Sequence, residues 1–396
     1  MFFWNTKDNP WHAARQARKI PPILITMLLC FALFWAYMYA AYGLRELVIN
    51  GVRALLNAAF AGDGLKAFAN NIDGDINAIA YAFPFILLMP IGWLYAKFVE
   101  GRKSSTFLFD WGHFSTHFFS GFLVGTVILA CALGFLSIFR IFQITGAGDL
   151  YIVSFILGIL SIALCCIGQE YYFRGMVLSS FGANNHPLVA ILAAGILSGL
   201  CNYFFFDAKV LNFFFIIDHI LLGWLLGVLV FRTKSVFTAV GVRFALMFFS
   251  QLVLGIPFSD YSYAHSLFAS KYTTGSIWFT TKSVLGVDTG FAMFVFLIIA
   301  LALALLIPVR GSRKAKEQEQ KTYFKHVEPS KPKPESEPEK KVPASPSGKP
   351  KPASPKPKKA PKPEPAASDD DDEWEEEETR DIETPHYKAP EDYLKK

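Results

Sequence analysis

The chain has 396 residues, of which 53% are hydrophobic, 16% aromatic and 18% charged, with a mean hydropathy of +0.33. The stretch after Lys314 is very polar, so the apolar residues must crowd upstream into uninterrupted runs of roughly twenty, the length that crosses a hydrocarbon core of about 30 Å; this excludes an ordinary soluble domain. The formal net charge of +5 resides in short loops and a tail, with no basic and aromatic module, which argues against nucleic-acid binding.

Eight spans are predicted in chain order, at residues 23–43, 77–97, 115–139, 151–181, 188–206, 211–231, 235–256 and 288–308. The first run is too long for a cleavable signal core and no small-residue cleavage site follows it, so it is expected to be a retained span. Residues 44–76 alternate apolar and polar side chains, as in an interfacial amphipathic helix. Pro84 and Pro90 predict a kink in the second span. Gly121 with Gly125, and Gly223 with Gly227, are four apart and predict close helix approach. The fourth run is long enough to tilt or project beyond the bilayer. All five cysteines fall inside apolar runs and read as core thiols rather than a disulfide framework.

Orientation follows from Lys and Arg in short loops. Arg15, Arg18 and Lys19, then Lys97, Arg102 and Lys103, then Arg232 and Lys234, then Arg310, Arg313, Lys314 and Lys316 share one side if both termini are cytoplasmic. From Lys314 the chain is rich in Lys, Pro, Glu, Ala and Ser, then acidic from Asp369 to Glu378 around Trp374. Such composition cannot bury enough apolar surface to offset its ordering entropy, so a disordered tail is expected. The tail reads either as a solubilising segment or as a docking site for a protein partner through Trp374, Tyr387 and Tyr393.

Ionisable groups inside spans are costly and are the first functional candidates. The densest set is Gln169-Glu170-Tyr171-Tyr172-Phe173-Arg174-Gly175. Glu170 and Arg174, four apart, share a helix face and can pair. Asn202, Asp218, His219 and Arg243 are further candidates. His113 and His117, with Asp110, have a spacing that could hold a metal, but at the start of the third span they read better as an interfacial helix start, and no metal or cofactor is expected.

Two segments carry a family likeness. Gln169 to Gly175 resembles the E-E-x-x-F-R-G motif of the CAAX-protease and bacteriocin-processing family of intramembrane endopeptidases. Leu222-Gly223-Trp224-Leu225-Leu226-Gly227, followed by Arg232-Thr233-Lys234-Ser235, resembles that family's glycine-spaced helix and the turn after it. The resemblance runs from about residue 107 to 256. It implies a glutamate that activates water, helped by histidines and an asparagine on later helices.

The family's first Glu falls on Gln169, an amide that cannot act as a base at ordinary pH. Its F-x-x-x-H motif best fits Ser198 to Asn202, placing Asn202 where the His is implied. Its H-x-x-x-N motif best fits Arg243 to Met247, placing Arg243 and Met247 where His and Asn are implied. Phe215 and His219 match F-x-x-x-H literally, but lie too far from Glu170 in sequence. At about 1.5 Å of rise per residue, Gln169 lies roughly 18 Å from the helix end near Phe181, Asn202 roughly 21 Å from the start of its span, and Arg243 roughly 12 Å from the start of its own. All three fit one cavity open to the cytoplasm.

The sequence is thus read as an all-α polytopic membrane protein with about eight transmembrane helices and a disordered C-terminal tail. Its regions are 1–106 with two spans, 107–256 as a CAAX-protease-like core, 257–312 with the last span, and the tail 313–396. The resemblance implies residence in a bacterial inner or plasma membrane, with membrane lipid as surroundings. The expected function is that of a catalytically inactive homologue acting in binding or assembly, with Gln169, Arg174, Asn202, Asp218, His219 and Arg243 lining the cavity and Arg243 able to hold an anionic group. One alternative is an active peptidase using Glu170 as base, aided by His219. Another is a small-solute transporter, for which internal symmetry would be expected and no convincing repeat is found.

Overall fold

The computed structural model describes residues 10–11, 14, 17–59, 75–76, 78–80, 83–109, 111–205, 213–256, 263, 265–272 and 290–306. The tail from 313 onward and Asp110 lie outside the described residues, as does most of the loop 257–287.

Long apolar runs in lipid must satisfy their backbone groups internally, and a helix does so within one segment. The elements are α1 (Ile23–Ala59), α2 (Leu88–Leu94), α3 (Phe114–Ile138), β1 (Phe142–Ala147), α4 (Ile152–Glu170), α5 (Leu178–Asn184), α6 (Pro187–Phe205), α7 (Phe213–Thr233), α8 (Phe237–Met247), β2 (Phe268–Tyr272) and α9 (Phe291–Leu306). Among the described residues five helical stretches are long and apolar enough to span a membrane: Ile23–Leu55, Ala78–Glu100, Trp111–Ile138, Ile152–Asn184 and Phe214–Thr233. Three shorter apolar helices, Pro187–Asn202, Phe237–Val253 and Phe291–Leu306, fall on the other three predicted spans. The protein is an all-α integral membrane protein.

Three details differ from the expectation. Residues 44–59 continue α1 instead of forming a separate interfacial helix. Leu47 and Leu55 remain exposed along this extension, whereas residues 60–74 lie outside the described set. Residues 142–147 pair antiparallel with 268–272, from Phe142 opposite Tyr272 to Ala147 opposite Phe268, with an irregularity between Ile144 and Gly146. This two-stranded ribbon joins two connections that sequence patterning treats as unstructured. Cys131 is exposed on α3, while the other four free cysteines are buried.

The second span shows the predicted distortion. Pro84 lies in a 3₁₀ turn (Phe83–Leu87), Pro90 lies within α2, and the helix finishes in a π-helical segment, Tyr95–Glu100. Proline removes one backbone donor and crowds the preceding turn, so regular α-helix is not sustained there.

Gly121, Gly125 and Gly223 face neighbouring backbones, and Gly227 faces the Ile191 side chain. A Cβ at Gly125 would come within 2.5 Å of the Val242 carbonyl oxygen, and one at Gly121 would collide with the Thr238 carbonyl, which seats α3 on α8. Phe118 packs beside Phe244 along the same seam, with ring centroids 5.6 Å apart. A Cβ at Gly223 would lie 2.8 Å from Gly195 Cα, so α6 and α7 touch backbone to backbone. Without a hydrophobic drive between helices in lipid, such close van der Waals contact is a main source of association. These two seams bring α6, α7 and α8 around the end of α4.

Candidate functional site

The centre lies where α4 stops being a regular α-helix. Ser154, Gly158, Ser161, Ile162, Cys165, Cys166, Gly168, Gln169 and Glu170 are its buried residues; most recur at three- and four-residue intervals along its inward side. Directly after Glu170 the helix widens into a π-helical turn, Tyr171–Val177, every residue of which is buried. Such insertions recur at functional sites.

Glu170 is fully buried and held by two arginines. Its Oε1 accepts from Arg243 Nε at 2.6 Å, and its Oε2 pairs with Arg174 Nε at 3.2 Å. The side chains of Glu170, Arg174 and Arg243 are 0%, 2% and 4% exposed. The predicted pair Glu170–Arg174 therefore forms, and Arg243, placed on sequence as holder of an external anion, grips Glu170 through Nε.

Arg243 reaches the centre because α7 and α8 are joined by a tight turn. Lys234 adopts a φ of 57°, in the left-handed region that glycine favours. Ser235 Oγ accepts the Phe237 N–H at 3.3 Å and so holds the first turn of α8. Fully buried α8 residues on both sides of Arg243, Val242 and Ala245, fix the helix against its neighbours.

On the other side, Arg174 Nη1 donates to Ser198 Oγ at 3.2 Å, and Asn202 Nδ2 donates to the Ser198 carbonyl oxygen at 2.7 Å. Ser198 is thus the link between Arg174 and Asn202, one that serine's small size and neutrality hide in the sequence. Gln169 Nε2 donates to Cys165 Sγ at 3.3 Å. Among the described residues the buried Arg174 Nη2 and Gln169 Oε1 have no hydrogen-bond partner.

Asp218 and His219 are buried but turn to other tasks. Asp218 Oδ2 accepts the Gly290 N–H at 2.7 Å, just before α9, where a carboxylate complements the helix N-terminus. His219 Nδ1 bonds the Phe215 carbonyl oxygen at 2.9 Å, and its ring lies 4.4 Å from that of Phe215. His113 is exposed and His117 half-buried, with ring centroids 6.2 Å apart; among the described residues no three His, Cys, Asp or Glu side chains gather as a metal site.

Two further polar clusters escape sequence reading. Arg102, which reads there as a basic loop residue, is buried. Its Nε pairs with Glu100, Nη1 donates to Thr106 Oγ1 and Ser179 Oγ at 3.0 and 2.7 Å, and Nη2 donates to the Met176 carbonyl oxygen and Ser180 Oγ at 3.0 and 2.7 Å. The guanidinium also lies 4.8 Å from the Phe107 ring centroid. Burial pulls Arg102 below the ordinary arginine range, against the opposing effect of the Glu100 carboxylate. At the other end of α4, His265 Nδ1 meets Asp75 Oδ2 at 2.7 Å, and Ser161 Oγ meets the Tyr263 hydroxyl at 2.5 Å.

Residues 151–249, which contain every candidate of the centre, match the family described as Type II CAAX prenyl endopeptidase Rce1-like. Over these residues the chain is similar to the CAAX-protease family. The matched stretch lies inside the 107–256 region of the sequence resemblance. Neither a curated protein nor a solved structure matches the chain. The protein is accordingly an integral membrane protein with a CAAX-protease-like stretch at residues 151–249.

Proposed function

We propose that this protein is a non-hydrolytic member of the CAAX-protease family that works by binding or assembly in the membrane. The observation that carries the reading is the engagement of Glu170 by Arg174 and Arg243. A general base must take up a proton. Both carboxylate oxygens of Glu170 are already paired with arginine nitrogens, so neither is placed to take a proton from a water. The alignment supports the same reading: an amide stands at Gln169 and Asn202, and an arginine at Arg243, where the family's catalysis calls for a glutamate and two histidines.

Purified full-length protein incubated with prenylated and transmembrane peptides is expected to give no cleavage. Cleavage that vanishes in Glu170→Gln would overturn the proposal in favour of the active-peptidase alternative.

We place both termini on the cytoplasmic side. Three of the basic connections converge at one end of the helices: the Lys19 N–H donates to the Glu100 carbonyl at 3.3 Å, Arg18 packs on Gly101, and the Val236 N–H donates to the Leu108 carbonyl at 3.1 Å. That clustering is what the positive-inside rule requires of a cytoplasmic face. The tail 313–396 is proposed as the segment offered to a protein partner. Pull-down with full-length and tail-deleted protein from native membranes tests it: partners lost on deletion place the function in the tail, and partners retained place it in the helices.

A further inference from the structure

The centre carries more positive than negative charge. One carboxylate, Glu170, faces two guanidinium groups, Arg174 and Arg243, so three buried side chains sum to +1. Each arginine spends its Nε on Glu170. Among the described residues Arg174 Nη1 has only the neutral Ser198, and its Nη2 has no hydrogen-bond partner. From the terminal Nη atoms of Arg243 no hydrogen bond runs to any described residue. Residue 223, beside Arg174 Nη2, is a glycine; a Cβ there would lie 3.3 Å from that nitrogen. An isolated buried charge is costly unless it is paired and hydrogen-bonded, and a guanidinium's outer edge is shaped for two parallel bonds to one oxyanion.

We propose that Arg174 and Arg243 form a buried anion site that takes one carboxylate or phosphate group, with Glu170 as the fixed bridge that spaces the two arginines. This deepens the non-hydrolytic reading and rests on it. Gln169 fits the role, because amide oxygen and nitrogen are interchangeable in placement. With the amide turned over, Oε1 accepts from the Cys165 thiol and Nε2 becomes a donor for the anion. The site lies among membrane-spanning helices, so the anion suited to it carries a hydrocarbon tail. A small soluble anion offers the same oxygens and is the other source to test.

The experiment uses the full chain in an uncharged detergent. A long-chain fatty acid, dodecyl phosphate, acetate and inorganic phosphate are titrated separately, with thermal stability and equilibrium binding as readouts. Saturable binding of the tailed anions is expected, weakened about ten- to a hundredfold in Arg243→Gln, the size of one charge-assisted hydrogen-bonded contact. Arg243→Gln leaves Glu170 and Arg174 as a one-to-one pair and should keep the fold. Gln169→Glu supplies a resident carboxylate, and it should abolish binding while raising the melting temperature of the ligand-free protein. Equal binding of inorganic phosphate or acetate, lost in the same two variants, supports the site with a soluble anion as its source. No binding by any of the four, or binding unchanged in both variants, overturns the site and leaves the non-hydrolytic reading standing. Peptide cleavage by the same sample would overturn that reading instead, with the anion site still judged by the titrations.

Discussion

Among the described residues lie two buried arginine–glutamate centres, and they differ in how completely their donors are used. At Arg102 one guanidinium meets one carboxylate, two serines, a threonine and a carbonyl, and every nitrogen has a partner. At Glu170 one carboxylate serves two guanidinium groups, and donors are left over. The first arrangement is a clasp between the end of the second span and the π-helical turn with α5. The second is balanced only when something else joins it. Saturation, rather than burial or charge alone, separates a structural ion pair from a binding site.

That comparison can be broken most directly at its acids. Glu170→Ala removes the counter-charge of two buried arginines at once and should be the most damaging single change, at about 3–5 kcal/mol or more, measured as lost thermal stability in detergent. The same change in an Arg174→Met, Arg243→Met background should be close to neutral, because exchanging a whole buried ionic cluster for apolar groups is commonly tolerated. If the triple variant unfolds as readily as Glu170→Ala, the cluster does more than balance itself.

Arg102→Met should come next, at about 3 kcal/mol, since Glu100 would remain buried without its partner. Adding Glu100→Gln should recover part of that loss. A double-mutant cycle on the two positions measures their coupling, and a coupling near zero would remove the clasp from the account. Ser198→Ala should cost less, about 1–2 kcal/mol, because it leaves only Arg174 Nη1 without its bond; unfolding midpoints of the single variant check it.

The sequence made the spans legible because lipid enforces a length and an apolar composition, and both are written in the order of residues. Glycine pairs at 121/125 and 223/227 were legible for the same reason: a four-residue interval is a geometric statement about one helix face. Glu170 with Arg174 was readable as an ion pair from its spacing. The capture of Glu170 by Arg243 was not, since it depends on how α8 lies against α4, 73 residues away along the chain. Arg102 was hidden more thoroughly. A basic residue just beyond a span satisfies the orientation rule whether it is exposed or buried, so nothing in the pattern marks it as a clasp. For Asp218 the sequence marks only a carboxylate inside a span; that it accepts the Gly290 N–H before α9 depends on the folded arrangement.

The smallest predicted effect is also the sharpest contrast between the centres. Arg243→Gln deletes a short hydrogen bond to Glu170, which by itself would cost about 1.5–3 kcal/mol. It also removes the surplus buried cation, whose desolvation opposes folding by a comparable amount. The two terms nearly cancel, so the ligand-free variant should unfold within about 1 kcal/mol of the parent, in either direction. Arg102→Met has no surplus charge to relieve and keeps its full penalty. Two arginine deletions, both at buried ion pairs, should therefore differ severalfold in cost, and thermal unfolding of both variants under one detergent condition measures that ratio. Equal costs would mean that the Glu170 centre is as saturated as the Arg102 clasp, with no vacancy for an anion.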